Sequence, residues 1–241
     1  MTAAAGPAAR WLRPLRTSPT ADVRLVCFPH AGGAASVYRR WLPHLPDAYE
    51  LWAVQYPGRE DRVGEPHPSG LGELSRQIAF ALQWAADKPY ALFGHSMGAV
   101  VAYETCRHLA LLGLPQPRRL IVSGSPPPAE AAAACRAEAD TPPQWLDTPD
   151  LTTTETATLA TRTLTADLAL LTDYRPTTGP PLSVPLTSVR GTDDHDLSQD
   201  TDRAWHTVTD NTAEARLLDG GHFGCFTHPR TAVRDIAYAV T

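Results

Sequence analysis

The stretch YALFGHSMGAVVAYE, residues 90–104, places a polar Gly-His-Ser triplet between an apolar run and an alanine-rich helical pattern. Its centre, GHSMG, fits the pattern G-x-S-x-G of a nucleophile elbow, in which a strand turns sharply into a helix with serine at the corner. The backbone of that serine is strained, so the residues two positions away must be small, and Gly94 and Gly98 around Ser96 meet this condition. A five-residue match can also be a buried turn that contains a serine, so the rest of the chain must decide.

Composition restricts the classes of protein to which this chain can belong. Its 241 residues suit one α/β domain with a sizeable core, and the net charge of -5 argues against a general nucleic-acid binder. No stretch approaches 18 consecutive apolar residues, so we expect no membrane span, and the N-terminus lacks the apolar core of a secretory signal. The four cysteines lie far apart and form no metal-ligand spacing. We therefore expect a cytoplasmic protein, a monomer, with no metal and no cofactor of its own.

Apolar runs alternate with helical patterns from residue 23 onward, which indicates βα units and a mostly parallel sheet flanked by helices. Together with the elbow, this pattern predicts an α/β-hydrolase fold. The predicted strands cover residues 23–28, 49–56, 90–93, 118–124, 185–191 and 214–220.

The alternation stops between residues 126 and 181, where prolines, alanines and threonines form no convincing strand. We interpret this segment as an insertion of short helices that covers the active site as a lid, the alternative being an insertion without function. Residues 11–241 then form a single hydrolase domain, with the stretch WLRPL as a possible edge strand. Residues 1–10 are expected to be a flexible tail.

A serine hydroxyl needs a base, and the base needs an acid to orient it. In this fold the chain order is serine, acid, histidine, each at the carboxyl end of a strand. His222 comes directly after the last predicted strand and a Gly-Gly pair, which makes it the candidate base. The stretch RGTDDHD offers Asp193, Asp194 and Asp196 as acids just past a strand, and the pattern alone does not separate Asp193 from Asp194.

Acyl transfer through a serine also needs two N–H donors for the oxyanion. One should belong to Met97, the residue after the nucleophile, at the positive end of its helix. The other should come from the loop FPHAGG, residues 28–33, whose glycines permit close approach of the backbone. Ala31 is the candidate donor there, and we interpret His30 as a loop or pocket-wall residue.

With these pieces placed, the chain resembles the type II thioesterases, stand-alone α/β-hydrolases that accompany polyketide and nonribosomal peptide synthases. The resemblance runs from about Trp11 to the terminal helix. It rests on the stretches LVCFPHAGGAASVYRRW, AVQYPGREDR, PYALFGHSMGAVVAYE, LPQPRRLIVSG, TPPQWL, LLTDYR and GGHF. The general hydrolase chemistry does not require QYPGREDR, so that stretch is especially informative.

The resemblance implies that a lid covers a channel for a phosphopantetheine arm and that acyl groups are hydrolysed from carrier-protein thiols. It implies an editing role, in which stalled or misloaded acyl groups are removed. The family pattern Gly-x-Asp-Asp-Pro, with the second aspartate catalytic, selects Asp194. His195 stands in place of the usual proline, and Gly224-Cys225 interrupts the usual aromatic and apolar run, so acyl preference stays open.

Alternatives to editing are a dedicated product-releasing thioesterase, a small-molecule carboxylesterase with the same triad, and a hydrolase-like protein without activity. The expected partner is an acyl or peptidyl carrier protein, which is commonly acidic. Arginines near the entrance could form a docking edge, although they could equally be ordinary solvated side chains. These arginines are Arg39, Arg40, Arg59 and Arg62.

Overall fold

The computed structural model describes residues 7–137 and 154–240, and seven strands in this part of the chain form one sheet. The strands are β1 (Leu12–Arg16), β2 (Val23–Phe28), β3 (Tyr49–Val54), β4 (Tyr90–His95), β5 (Leu120–Ser123), β6 (Leu186–Gly191) and β7 (Ala213–Leu218). Their order is β1-β3-β2-β4-β5-β6-β7. Only β1 runs antiparallel to its neighbour, so the predicted α/β-hydrolase sheet is confirmed.

Helices cover both faces of the sheet. They are α1 (Pro7–Trp11), α2 (Leu71–Leu82), α3 (Met97–Leu111), α4 (Pro128–Ala137), α5 (Thr154–Asp173), α6 (Gln199–His206), α7 (Gly224–Thr227) and α8 (Pro229–Val240). A longer 3₁₀ helix spans Ala35–His44, and shorter ones span Glu60–Arg62 and Gln83–Ala85. Among the described helices, none has both the length and the apolar character needed to cross a bilayer.

The central strands are buried on both faces, and their side chains alternate between two apolar layers. In β2, Val26 and Phe28 join the layer formed with α2 and α3, while Leu25 and Cys27 join the layer formed with α8 and the longer 3₁₀ helix. Because these strands are parallel, their carboxyl ends meet at one edge of the sheet, where the predicted site residues lie.

Sequence pattern located most elements within a few residues. The bounds of β2 match the prediction, and the proposed edge strand at WLRPL is β1, which pairs with β3. The chain after β2 forms the 3₁₀ helix Ala35–His44, which contains Pro43. A proline has no N–H to donate within a helix. Residues 7–10 of the expected N-terminal tail belong to α1, and residues 1–6 lie outside the described part of the chain.

The segment 126–181 contributes two described helices, α4 and α5, which pack against each other. Helix α5 is one continuous helix of 20 residues, longer than the short helices predicted for this segment. Residues 138–153, which include the TPPQWL stretch, lie outside the described residues.

The two elbow glycines lie where side chains would collide with backbone. A Cβ at Gly98, the second residue of α3, would lie 2.1 Å from the carbonyl oxygen of Phe28. A Cβ at Gly94 would lie 2.2 Å from the carbonyl oxygen of Gly98. The absence of side chains therefore lets the first turn of α3 rest directly on the ends of β2 and β4.

We expect Gly98→Ala to lower the free energy of unfolding by about 3 kcal/mol or more, because the added methyl group must displace backbone. Gly72→Ala is the matched control, since Gly72 is the second residue of α2 and a Cβ there meets nothing within 4 Å. That control should raise stability by up to about 1 kcal/mol through helix propensity. Urea denaturation of both variants measures the difference, and equal midpoints would contradict the packing argument.

Candidate active site

Ser96 stands alone between the end of β4 and the start of α3, with φ 54° and ψ -122°. A non-glycine residue with positive φ is strained and persists only where its surroundings fix it. The Ser96 N–H donates to the carbonyl oxygen of Ser123 at 2.8 Å, and its own carbonyl accepts the Ala99 N–H at 2.9 Å. These bonds hold the serine at the corner that the elbow motif predicts.

The structure brings Asp194 and His222 together. Asp194 Oδ2 lies 3.2 Å from His222 Nδ1, and the carboxylate is almost fully buried. The two loops that carry these residues touch through backbone: a Cβ at Gly191 would lie 2.2 Å from the carbonyl oxygen of Gly220. The Asp193 N–H also donates to the Gly220 carbonyl oxygen at 3.0 Å.

Burial distinguishes the acid candidates that sequence pattern left open. Asp194 is buried against His222, whereas Asp193 and Asp196 are exposed, as is His195 between them. A carboxylate on Nδ1 favours the tautomer in which Nε2 can accept a proton. The pair Asp194–His222 is therefore able to act as an oriented base.

His222, which follows β7, packs beside the end of β4, where Ser96 lies. The His222 ring centroid lies 5.0 Å from that of His95, the residue before Ser96. A Cβ at Gly124, which has φ +62°, would lie 2.5 Å from His95 and 3.4 Å from His222. Gly124 thus leaves room for both imidazoles above the carboxyl end of β5, and sequence reasoning did not single it out.

Two backbone N–H groups lie near this point. Within the described residues, the N–H groups of Ala31 and Met97 have no hydrogen-bond partner, although both residues are buried. The two donors that follow Ala31 are occupied, because the Gly32 N–H donates to Asp167 at 2.7 Å and the Gly33 N–H to the His30 carbonyl oxygen at 2.9 Å. Contact of α3 with Phe28 brings the loop 28–33 and the helix start together.

A second and a third histidine line the site. The fully buried His95 and the half-buried His30 have ring centroids 6.1 Å apart, and both pack against Phe223 and Phe226. Burial, aided by the nearby His222, lowers the pKa of His95 well below its ordinary value, and loss of hydration among the rings lowers the pKa of His30. Both imidazoles are therefore neutral at pH 7 and add no positive charge beside His222.

His95 has polar contacts that sequence pattern did not reveal. Its Nδ1 lies 3.2 Å from Ser123 Oγ and 3.7 Å from Cys225 Sγ. Burial raises the pKa of the Cys225 thiol, so the thiol is neutral and packs as a small apolar group. A Cβ at Gly224 would lie 2.7 Å from the Asp219 carbonyl oxygen, so this glycine serves a tight turn and opens no space for substrate.

Two of the four arginines proposed as a docking edge are buried. Arg59 and Arg62 are 5% and 3% exposed, so they cannot meet a partner. Arg59 pairs with Asp167 of α5, and Arg62 pairs with Glu65. Arg39 and Arg40 are exposed. The docking prediction was therefore wrong for Arg59 and Arg62. Local sequence does not reveal ion pairs between distant residues such as Arg59 and Asp167.

Comparison with known proteins gives consistent results. A family model described as the thioesterase domain matches residues 23–238. The probable cadicidin biosynthesis thioesterase of Streptomyces griseus is 35% identical, over 100% of this chain and 68% of that protein. The type II thioesterase BorB from the borrelidin cluster is 32% identical, with a TM-score of 0.79 over 96% of this chain and 98% of that chain. The thioesterase RedJ from the prodiginine pathway of Streptomyces coelicolor is also 32% identical, with a TM-score of 0.77 over 95% and 96% of the two chains.

Asp194→Asn should slow the reaction of Ser96 with a fluorophosphonate by about 10³-fold, because an amide holds His222 in the wrong tautomer. The exposed Asp193→Asn is the matched control and should react within about 2-fold of the parent rate. Intact-protein mass spectrometry measures labelling over time. An equal loss in both variants would exclude Asp194 as the specific partner of His222.

The lowered pKa of His95 predicts a pH dependence of stability. Below about pH 6.5 the unfolded chain binds a proton at this histidine and the folded chain does not, so stability falls as the pH falls. We expect His95→Gln to reduce the slope of unfolding free energy between pH 5 and 6.5 by up to about 1.4 kcal/mol per pH unit. The exposed His44→Gln is the control for the loss of a histidine outside the site. Urea denaturation at several pH values checks this, and parallel slopes for His95→Gln and the parent would refute it.

Proposed function

This chain belongs to the thioesterase domain family, and from that premise we propose that it is a serine thioesterase acting on acyl groups bound to carrier proteins. The acyl groups would be bound as thioesters to the phosphopantetheine arm of carrier proteins in polyketide or nonribosomal peptide assembly lines. The observation that carries the proposal is the Asp194–His222 contact beside the strained Ser96. The similarity to BorB and RedJ supports the choice of substrate class.

In the proposed first half-reaction, Ser96 Oγ attacks the thioester carbonyl carbon while His222 Nε2 takes the hydroxyl proton. Asp194 holds the imidazole and stabilises the imidazolium that forms. The tetrahedral oxyanion is bound by the N–H groups of Ala31 and Met97. When the carbon–sulfur bond breaks, His222 gives its proton to the sulfur, and the carrier leaves as a free thiol.

In the second half-reaction, water attacks the acyl-enzyme with His222 as base, and the free acid leaves as Ser96 regains its proton. The neutral His95 and His30 suit both halves, because a cation beside His222 would lower its basicity. The positive end of α3 at Met97 adds to oxyanion stabilisation. Two such donors contribute several kcal/mol to lowering the barrier.

We propose an editing role in which stalled or misloaded acyl groups are removed so that the assembly line resumes. The Gly224-Cys225 departure does not argue against this role, because the glycine packs on Asp219 and the thiol faces His95. The acyl preference is measured by the range of acyl chains that the enzyme cleaves.

Hydrolysis of acetyl-, propionyl- and longer acyl-carrier-protein thioesters should be broad, and faster than hydrolysis of the matching small thioesters and oxygen esters. Ser96→Ala should reduce turnover by at least about 10³-fold, whereas the exposed Ser69→Ala should not. Release of free carrier thiol measures each rate. Cleavage of one long chain only would indicate dedicated product release, and preference for oxygen esters would indicate a carboxylesterase.

A further inference from the structure

Helix α5 contacts the loop that carries Ala31 through two side chains on one face. Asp167 Oδ2 accepts the N–H of Gly32 at 2.7 Å, and a Cβ at Gly32 would lie 3.3 Å from that of Leu164. Residues three apart lie on the same face of a helix, so Leu164 and Asp167 both contact the loop. The N–H that Asp167 binds belongs to the peptide that joins Ala31 to Gly32.

Arg59 fixes Asp167 in place. Its two terminal nitrogens donate to the two Asp167 oxygens at 2.6 and 2.7 Å, one of them also donates to the Gly33 carbonyl oxygen at 3.0 Å, and Nε donates to Pro57 at 3.2 Å. Asp167 is 1% exposed and Arg59 is 5% exposed. Buried charges separated from each other are strongly unfavourable, so this bidentate pair holds α5 and both loops in one arrangement.

The hydrogen bonds of the Gly32-Gly33 pair leave the preceding N–H, that of Ala31, for a ligand. Asp167 occupies the Gly32 donor and the His30 carbonyl occupies the Gly33 donor, so the Ala31 N–H stays available among the described residues. If Asp167 were removed, the Gly32 N–H would lose its acceptor and the glycine pair would be free to rotate the neighbouring peptide. The direction of the Ala31 N–H therefore depends on a side chain of another element.

We propose that Asp167 is a positioning residue, which holds the loop so that the Ala31 N–H faces the developing oxyanion, and that Arg59 orients Asp167 for this task. The inference rests on the proposed function, because that function assigns the oxyanion to Ala31. Helix α5 is then a fixed part of the catalytic framework, and not only a cover above the site.

The same helix has a second anchor that provides an internal control. Tyr174, which follows α5, donates its hydroxyl to Glu104 of α3, and the Thr177 hydroxyl donates to the other Glu104 oxygen at 2.9 Å. Glu104 is fully buried. None of these described side chains has a hydrogen bond to the loop 28–33, so this anchor docks the helix without touching Ala31.

The test compares Asp167→Ala, Asp167→Asn and Tyr174→Phe. We expect Asp167→Ala to lower both kcat for a small acyl-cysteamine thioester and the rate of Ser96 inactivation by a fluorophosphonate by about 10- to 100-fold. KM should change by less than about 3-fold, since the loss lies in the transition state. Asp167→Asn should fall between parent and alanine variant, because its amide oxygen can still accept the Gly32 N–H.

Tyr174→Phe should lower Tm while both rates stay within about 2-fold of the parent, measured at a temperature where all variants are folded. Parent-like rates in Asp167→Ala would overturn the proposal. If the alanine variant does not fold, parent-like rates in Asp167→Leu, whose side chain has a similar size and no acceptor for the Gly32 N–H, would overturn it. The proposal would also be overturned if the rates of the Asp167 and Tyr174 variants fell in the same proportion to their losses of Tm. Fluorophosphonate inactivation needs no thioester, so failure of the proposed substrate class shows separately as absent thioester hydrolysis.

Discussion

The first turn of α3 lies in backbone contact with the ends of β2 and β4, and the geometry of the site depends on this contact. It exists because Gly98 and Gly94 have no side chains: a Cβ at either would approach a carbonyl oxygen to 2.1 or 2.2 Å. The contact sets Ser96 in its strained conformation, points the α3 N-terminus at the site and brings the loop 28–33 beside it. The proposed nucleophile and the proposed oxyanion donors thus share one constraint.

A similar close approach on the other side of the site joins the proposed acid and base. Gly191 and Gly220 let the loops after β6 and β7 touch, and this places buried Asp194 against His222. The imidazole then packs against His95, whose neutrality follows from burial. Ring packing holds the His222 imidazole and the Asp193–Gly220 backbone hydrogen bond holds its loop, so the orientation of the ring does not depend on the carboxylate alone.

The buried pair Arg59–Asp167 is a costly polar contact, because two charges are removed from water. Such a pair is weak evidence for stability, since apolar residues of similar volume often stabilise a fold as well or better. The pair fixes the orientation of the Asp167 carboxylate, because the Arg59 guanidinium binds both of its oxygens. Here the carboxylate points at the Gly32 N–H, which links α5 to the loop of Ala31.

Local pattern alone determined the elbow, the parallel sheet and the placement of Ser96 and His222, because strand alternation and glycine spacing are properties of neighbouring residues. The pattern limited the candidates for the acid to the aspartates of residues 193–196, and the resemblance selected Asp194 among them. Tertiary structure alone showed that Asp194 is the buried member, that Arg59 faces inward and that Asp167 reaches Gly32. These contacts join residues more than 25 positions apart, and local periodicity carries no record of such pairings.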